Sequence, residues 1–140
     1  MGEAFVRKRG IHMIYAVDFD DMIFLGHGNG AGTANVQLIK HLIFKRKMGD
    51  KIILWTCREG KRLQDAVDFC KEYGLVFDAV NDNLPEIIAK NGANSRKVIC
   101  DVYLDGRAKS MDEYDFSGEV NMDKIKDALV RFADKVSVAG

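Results

Sequence analysis

The sequence predicts an α/β protein: a Rossmann-like three-layer sandwich with a mostly parallel sheet. Short apolar segments with strand character alternate along the chain with amphipathic segments of helical period. Such alternation is typical of parallel strands that are joined by helical crossovers. Of the 140 residues, 47% are apolar and 30% are charged, as in globular proteins. Because neither repeats nor long linkers interrupt the chain, we expect one domain over residues 1–140.

The first part of the chain is predicted to contain two strands and one helix. The first strand spans about 13–19, and a glycine-rich flap follows it at about 21–32. Thr33 is expected to be the N-cap of a helix that runs to Met48. The continuous apolar run at 52–56 predicts a second strand that is buried on both faces.

The middle of the chain continues the alternation. A helix is expected over about 61–73, because its apolar side chains recur at helical spacing. A short third strand is predicted over 76–80. Asn83 is expected to cap a short helix that carries Pro85 in its first turn, where proline is tolerated.

The last part of the chain is predicted to contain one strand and one helix. The fourth strand covers about 98–104, and the segment 111–120 is expected to be a loop because it has no clear period. The C-terminal helix is predicted over about 122–136, where apolar residues recur every three or four positions.

Carboxylates follow the first predicted strand at Asp18, Asp20 and Asp21. In a strand, Asp18 and Asp20 point to the same side. Two such charges about 4 Å apart repel by roughly 4 kcal/mol at an effective dielectric constant of about 20. This is a large fraction of the stability of a domain, so the pattern predicts a divalent cation.

Further polar residues lie at the predicted strand ends. Thr56 ends the second strand, Asp105 follows the fourth, and Lys97 lies just ahead of that strand. In open α/β sheets, active sites lie outside the carboxyl ends of the strands. This combination suits phosphoryl transfer: Asp18 or Asp20 attacks phosphorus, the other moves a proton, and the cations neutralise charge.

Four motifs in this order resemble those of the haloacid dehalogenase (HAD) superfamily of phosphatases and hydrolases. The motif residues are Asp18 with Asp20, Thr56, Lys97 and Asp105. The match spans about residues 15–107, and the segments 53–58 and 101–105 are especially similar to small capless members from bacteria and phages. The resemblance implies a HAD-like fold over the whole domain.

The resemblance also implies a role for each motif residue. Asp18 would be the nucleophile that becomes an aspartyl phosphate, and Asp20 the general acid and later the base. Magnesium would be held by the Asp18 carboxylate, the main-chain carbonyl of Asp20 and Asp105, an oxygen set that this ion prefers. Thr56 and Lys97 would bind the transferred phosphoryl group of a phosphorylated substrate.

Two residues after Thr56 complete the predicted phosphate-binding segment. Cys57 lies beside the phosphate, or is a packed thiol; Arg58 binds substrate or forms a structural salt bridge. A cysteine phosphatase would need Cys-x5-Arg, and Leu63 stands at the arginine position. A receiver domain would need an acid at the end of the central strand that Thr56 ends. Asp101 is expected to be structural, pairing with Lys97.

The chain departs from the family pattern at three positions. Asp21 and Met22 stand where glycine and then threonine or valine are usual, and Gly106 replaces a frequent second acid. A HAD-like module that binds metal or phosphate without turnover therefore remains an alternative.

The glycine-rich flap and the missing cap bear on the substrate. The glycines begin six residues after Asp20, too late for a dinucleotide-binding turn. They predict a mobile flap on which His27 either contacts substrate or is solvated. An open site favours a large substrate, such as a protein or a nucleic-acid end, or closure by a neighbouring subunit in a homo-oligomer.

Composition excludes several classes of function and location. The formal net charge is zero, so no overall field points to nucleic acid or a membrane. No segment resembles a secretion signal or a membrane span. The three cysteines have no metal-type spacing, so a reduced, cytoplasmic protein is expected.

Overall fold

The computed structural model describes residues 12–26, 32–114 and 122–139. The chain divides into two compact units, Met1–Ala108 and Lys109–Gly140. The single domain over residues 1–140 therefore stays a prediction. The strands are β1 (Ile14–Val17), β2 (Phe24–Leu25), β3 (Thr33–Ala34), β4 (Lys51–Leu54), β5 (Ala79–Val80) and β6 (Val102–Leu104). The helices are α1 (Val36–Lys47), α2 (Gly60–Glu72), α3 (Pro85–Asn91) and α4 (Met122–Ala139).

A four-stranded parallel sheet lies at the centre of the first unit. Its strand order is β5-β4-β1-β6, so β1 is a central strand between β4 and β6. Because all the pairings are parallel, the four strands end at the same edge of the sheet. This confirms the α/β class and the parallel sheet that the sequence predicts.

Apolar side chains cover both faces of this sheet. On one face Val17 and Leu54 are fully buried against residues of α1 and α2, such as Leu42 and Cys70. On the other face Ala16 and Ile53 pack with Leu84 and with Ile87 of α3. Burying a leucine or isoleucine side chain stabilises a fold by about 1.5–3 kcal/mol. The helices on two faces fix β1, and with it the position of Asp18.

The first helix begins later than predicted. Thr33 is not its N-cap, because Thr33 pairs with Leu25 in the short antiparallel ladder of β2 and β3. Asn35 is the cap instead: its side-chain oxygen accepts a hydrogen bond from the Leu38 amide at 3.3 Å. Its Nδ2 also donates to the Met22 carbonyl at 2.9 Å. Asparagine is at least as good a cap as threonine, and the ladder removes Thr33 from the helix.

The predicted capping role of Asn83 is also wrong. Leu84 precedes α3 with extended angles (φ −59°, ψ 138°), because a residue before proline avoids the helical region. Asn83 is 4% exposed, and its side chain binds main chain elsewhere. Its Nδ2 donates to the Lys97 carbonyl at 2.9 Å, and its Oδ1 accepts from the Ile99 amide at 2.7 Å. Asn83 therefore holds the segment before β6.

All four predicted strands are shorter in the structure, and the first, predicted over about 13–19, covers only Ile14–Val17. The second ends at Leu54, the third contains only Ala79–Val80, and the fourth begins at Val102. Asp101 is structural, as expected, but its Oδ2 accepts from the Ile14 amide at 2.7 Å rather than pairing with Lys97.

The second unit contains α4, which extends three residues beyond its predicted end at 136. Its apolar residues Ile125, Leu129 and Phe132 are 39%, 62% and 66% exposed. Most of the predicted loop at 111–120 lies outside the described residues, as do residues 27–31 of the flap with His27. No described helix has the length and apolar character that spanning a membrane requires.

Candidate functional site

The carboxyl ends of β1, β4 and β6 bring three of the predicted residues together. Asp18 directly follows β1, and its amide donates to the Leu104 carbonyl of β6 at 2.9 Å. On the other side of β1, the Trp55 amide donates to the Val17 carbonyl at 2.9 Å. These bonds continue the sheet to its edge. Asp18, Thr56 and Asp105 consequently line the same cavities.

Two adjoining cavities open at this edge, and they share Asp18, Thr56, Cys57 and Asp105. The first, here called the aromatic cavity, has a volume of about 340 Å³. The residues that line only the aromatic cavity are Trp55, Arg58, Glu59, Asn81, Arg96 and Tyr103. The second, here called the acidic cavity, has a volume of about 350 Å³. The residues that line only the acidic cavity are Asp20, Asp21, Gly106 and Arg107.

The Asp18 carboxylate lies where the two cavities meet. Its Oδ1 accepts a hydrogen bond from the Phe19 amide at 2.8 Å. Burial raises the pKa of the Asp18 carboxyl above its usual value, and the charges of Asp105 and Asp20 raise it further. Hydrogen bonds from Phe19 and the Thr56 side chain oppose this rise in pKa. Asp18 is thus a half-buried carboxylate among like charges, which a cation would stabilise.

The Asp20 carboxylate forms an ion pair with Arg58. Nε of Arg58 donates to Oδ2 at 3.0 Å, and its terminal nitrogen donates to Oδ1 at 2.8 Å. The Arg58 guanidinium also lies 4.6 Å from the centre of the Phe19 ring. Hydrogen bonds from Arg58 lower the pKa of the Asp20 carboxyl below its usual value. Arg58 was predicted either to bind substrate or to form a structural salt bridge, and in the structure it forms the salt bridge.

The Thr56 segment is held by a residue that the sequence analysis did not single out. Asn81 accepts from the Thr56 amide at 2.8 Å and donates to the Arg58 carbonyl at 3.2 Å. The Arg58 amide in turn donates to the Thr56 hydroxyl at 3.2 Å. Asn81 directly follows β5, so its place at a strand end was the signal that could have identified it.

Arg96, rather than Lys97, lines the aromatic cavity. The Lys97 side chain is exposed, and Lys97 lines neither cavity, although Asn83 holds its carbonyl near the edge. Arg96 has a left-handed backbone (φ 67°), and its guanidinium donates to the Asn81 carbonyl. Its Nε lies 4.0 Å from Oδ1 of Asp82. The sequence around these two cations contains no pattern that distinguishes Arg96 from Lys97, so the sequence analysis could not have identified Arg96.

Asp105 is held by two donors at the end of β6. Its Oδ1 accepts from the Arg107 amide at 2.9 Å, and its Oδ2 accepts from the Tyr103 hydroxyl at 3.1 Å. Burial, with the hydrogen bond to Asp105, raises the pKa of Tyr103 to about 12. The Tyr103 hydroxyl therefore remains a donor at neutral pH, and it orients the Asp105 carboxylate.

The structure also describes Cys57 and the three residues that depart from the family pattern. Asp21 has a left-handed backbone (φ 63°), a conformation that glycine adopts without strain. Gly106 lines the acidic cavity, and exposed Cys57 lines both cavities. Met22 is joined to the α1 cap through its carbonyl.

The donor chemistry of the edge fits magnesium. In residues 12–26, 32–114 and 122–139, no group of three His, Cys, Asp or Glu side chains is arranged to hold a metal. The predicted set contains only two carboxylates, Asp18 and Asp105, with the main-chain carbonyl of Asp20. These are hard oxygen donors, and magnesium often keeps several waters beside one or two carboxylates.

Comparisons with known proteins support the fold but identify no family. No family model matches the chain, and no curated protein matches it. The solved structure of a conserved protein from Bacteroides thetaiotaomicron is similar, with 28% sequence identity and a TM-score of 0.58. The match covers 89% of this chain and 97% of that protein. This similarity supports the α/β fold.

Proposed function

We propose that this protein is a magnesium-dependent phosphatase of the HAD type, which works through an aspartyl phosphate at Asp18. One observation carries the proposal: the half-buried Asp18 carboxylate lies where two cavities meet, with Thr56 and Asp105 lining both. A carboxylate in such a position can approach phosphorus in line with a leaving group. Bound magnesium, held by Asp18, Asp105 and the Asp20 carbonyl, would neutralise charge on the phosphoryl oxygens.

The first step forms a bond between an Asp18 oxygen and phosphorus while the leaving oxygen departs. Because Asp20 lines only the acidic cavity, a leaving group that takes a proton from Asp20 occupies that cavity. The Thr56 hydroxyl binds an oxygen of the transferred group. Lys97 stays the predicted cation for this group, and Arg96 is supported as a second cation by its position in the aromatic cavity.

The second step hydrolyses the aspartyl phosphate at Asp18. A base must take a proton from the attacking water, and Asp20 is suited to that role because Arg58 keeps it ionised. The same ion pair opposes protonation of a leaving group by Asp20. The site therefore favours substrates whose leaving groups need little help from an acid.

A HAD-like module that binds without turnover is the second candidate. Two observations favour it: Asp20 is engaged by Arg58, and Gly106 supplies no additional acid to the acidic cavity. Such a module would hold magnesium and phosphate at the same edge but would not form an aspartyl phosphate at Asp18.

Hydrolysis of 4-nitrophenyl phosphate, with and without magnesium, tests the proposal. We expect magnesium-dependent turnover in the wild type and none in Asp18→Asn, which removes the nucleophilic charge at almost constant shape. Asp65→Asn is the matched control, because Asp65 is exposed and forms an ion pair with Lys61 at 3.1 Å on α2. Equal rates in the wild type and in Asp18→Asn would refute the proposal.

A further inference from the structure

Both oxygens of the Asp20 carboxylate face N–H donors of Arg58, at 2.8 and 3.0 Å. Arg58 is itself held in place, because its guanidinium lies 4.6 Å from the centre of the Phe19 ring and donates to the Arg62 carbonyl at 3.3 Å. An acid that served a leaving group would have to carry its proton on one of these two oxygens. The arrangement therefore suits a leaving group that departs without a proton.

The acidic cavity, where the leaving group lies beside Asp20, also contains a cation that the proposed function does not use. Of the described residues that line this cavity of about 350 Å³, Arg107 is the one cation. Its amide donates to Oδ1 of Asp105 at 2.9 Å, which holds its backbone at the end of β6. Its guanidinium forms no hydrogen bond or ion pair with the other described residues. Arg107 is therefore available to a leaving group in this cavity.

The carboxylates that line the acidic cavity do not exclude an anion, because most of their charge is offset. Arg58 neutralises Asp20 through the two hydrogen bonds. Asp18 and Asp105 are the proposed ligands of magnesium. Guanidinium groups bind carboxylate and phosphate oxygens through strong, charge-assisted hydrogen bonds. Arg107 is therefore suited to a leaving group that is itself a carboxylate or a phosphate.

We propose that the substrate is a phosphoric anhydride, in which a terminal phosphoryl group is joined to a carboxylate or a second phosphate that Arg107 binds as it leaves. This inference rests on the proposed function. Asp18 forms a bond to phosphorus, and the bond from phosphorus to the bridging oxygen breaks. The leaving group keeps both electrons of that bond and departs as an anion, so it needs no proton. Water then attacks phosphorus, its proton passes to Asp20, the bond to Asp18 breaks, and inorganic phosphate is released.

An anhydride also matches the bond that forms on Asp18. An aspartyl phosphate is itself an anhydride of a carboxylic acid and phosphoric acid, so transfer from an acyl phosphate or a pyrophosphate exchanges one such bond for another. Transfer from an ester of a simple alcohol replaces a stable bond by a reactive one, and it expels a strongly basic alkoxide unless an acid protonates it. Asp20, in its pair with Arg58, is poorly placed to be that acid.

Three substrates test this class with the wild-type protein and magnesium: acetyl phosphate, pyrophosphate and ethyl phosphate. Spontaneous hydrolysis is measured without protein and subtracted. We expect kcat/KM for acetyl phosphate or pyrophosphate to exceed that for ethyl phosphate by about 10²–10⁴, the usual worth of the acid catalysis that ethyl phosphate lacks. The better of the two anhydrides shows whether the leaving group is a carboxylate or a phosphate. Hydrolysis of ethyl phosphate as fast as of both anhydrides would overturn the inference while the phosphatase proposal survives.

Substitutions at Arg107 separate recognition of the leaving anion from its low basicity. The leaving group of 4-nitrophenyl phosphate also needs little help from an acid, but it has no carboxylate or phosphate for Arg107 to bind. Arg107→Gln should lower kcat/KM for the better anhydride about tenfold more than that for 4-nitrophenyl phosphate, and Arg107→Lys should restore most of the loss. Lys90→Gln is the control, because Lys90 is an exposed cation of α3 that lines neither cavity. Equal losses for both substrates in Arg107→Gln would contradict the inference.

Ligand binding provides a readout that does not depend on turnover. Phosphonoacetate carries a carboxylate beside a phosphonate that cannot be hydrolysed, and propylphosphonate has a similar size without the carboxylate. We expect calorimetry at a fixed free magnesium concentration to give a dissociation constant about tenfold lower for phosphonoacetate, and Arg107→Gln should remove most of this difference. If no substrate is hydrolysed, the proposed function fails, and this titration alone decides whether the acidic cavity recognises an anion. Equal affinities of the wild type for the two ligands would refute such recognition.

Discussion

The guanidinium of Arg58 donates two hydrogen bonds to the carboxylate of Asp20, at 2.8 and 3.0 Å, across 38 positions of the sequence. This ion pair joins the segment after β4 to the turn after β1. The guanidinium also lies over the ring of Phe19, the residue between Asp18 and Asp20. Paired, planar contacts of this kind fix both partners in orientation. The proposed acid–base residue is therefore held in position and held ionised.

Replacing Arg58 should change which substrates react well. We expect the wild type to hydrolyse aryl phosphates much faster than alkyl phosphates, because ionised Asp20 gives little acid catalysis. Arg58→Gln should lower the aryl rate but narrow the aryl-to-alkyl ratio, since the pKa of Asp20 returns towards its usual value. Steady-state rates over a series of leaving groups measure this ratio. Lys61→Gln, which removes an exposed cation of α2, is the control and should leave the ratio unchanged.

The same pair should make stability depend on acid pH. The folded-state pKa of Asp20 is lowered from 3.8, so its contribution is present above the unfolded pKa and is lost as pH falls through the folded value. Because the Asp20 side chain is 40% exposed, the effect should be small, at most about 1 kcal/mol. Urea unfolding of the wild type and of Asp20→Asn between about pH 7 and pH 2 checks it. A stability difference that grows as pH falls would contradict this assignment.

Asn81 should be needed for the Thr56 segment. Asn81→Ala removes partners from the Thr56 amide and the Arg58 carbonyl, which should cost about 1–3 kcal/mol. Turnover should fall as well, because the Thr56 hydroxyl loses its fixed position. Unfolding and kinetic measurements on the same variant separate the two losses. Asn91→Ala, at the exposed end of α3, is the matched control, and an equal effect there would argue against a specific role for Asn81.

The backbone at Asp21 explains why an aspartate can stand where glycine is usual. At φ 63° a residue with a Cβ is strained, and aspartate tolerates this region better than most. Asp21→Gly and Asp21→Ala lose the same carboxylate, so their difference isolates the backbone. We expect the alanine variant to be less stable by about 1 kcal/mol in thermal or urea unfolding. Equal stability would show that the left-handed turn is not retained.

Magnesium should stabilise the fold even without a substrate. A ligand at 100 times its dissociation constant stabilises a protein by about 2.7 kcal/mol. For a protein of this size, saturating magnesium should raise the melting temperature by about 5–10 °C. Asp105→Asn should lose most of that rise. Without metal it should melt at a higher temperature than the wild type, because its repulsion of Asp18 is gone. A full magnesium response in Asp105→Asn would mean that this residue is not a ligand.

The polar residues at the sheet edge were predictable because they depend on local patterns. Apolar runs that stop at Asp18, Thr56 and Asp105 indicate the edge of a parallel sheet, and the parallel pairing brings those residues together. Their chemical roles stay predictions. Strand lengths were predicted less well, because the ends of β5 and β6 depend on which neighbours they pair with.

The supporting residues could not be predicted in the same way. Asn81 and Asn83 bind atoms 11 to 25 positions away, and no local pattern encodes such contacts. Lys97 and Arg96 are adjacent cations, and Arg96, which has a left-handed backbone, is the one that lines the cavity. Likewise the β2–β3 ladder, a contact across the flap, decides that Asn35 and not Thr33 caps α1.

Trapping the phosphorylated protein tests the central claim most directly. Asp20→Asn should slow hydrolysis of the aspartyl phosphate at Asp18, by roughly 10²–10⁴ for a lost general base, so this intermediate accumulates. After incubation with magnesium and 4-nitrophenyl phosphate, acid quenching and peptide mass mapping should place one phosphoryl group on Asp18. The label should be lost on treatment with hydroxylamine and should be absent in the Asp18→Asn variant. Turnover without a label on Asp18, or a label on Thr56 or Cys57, would contradict the account.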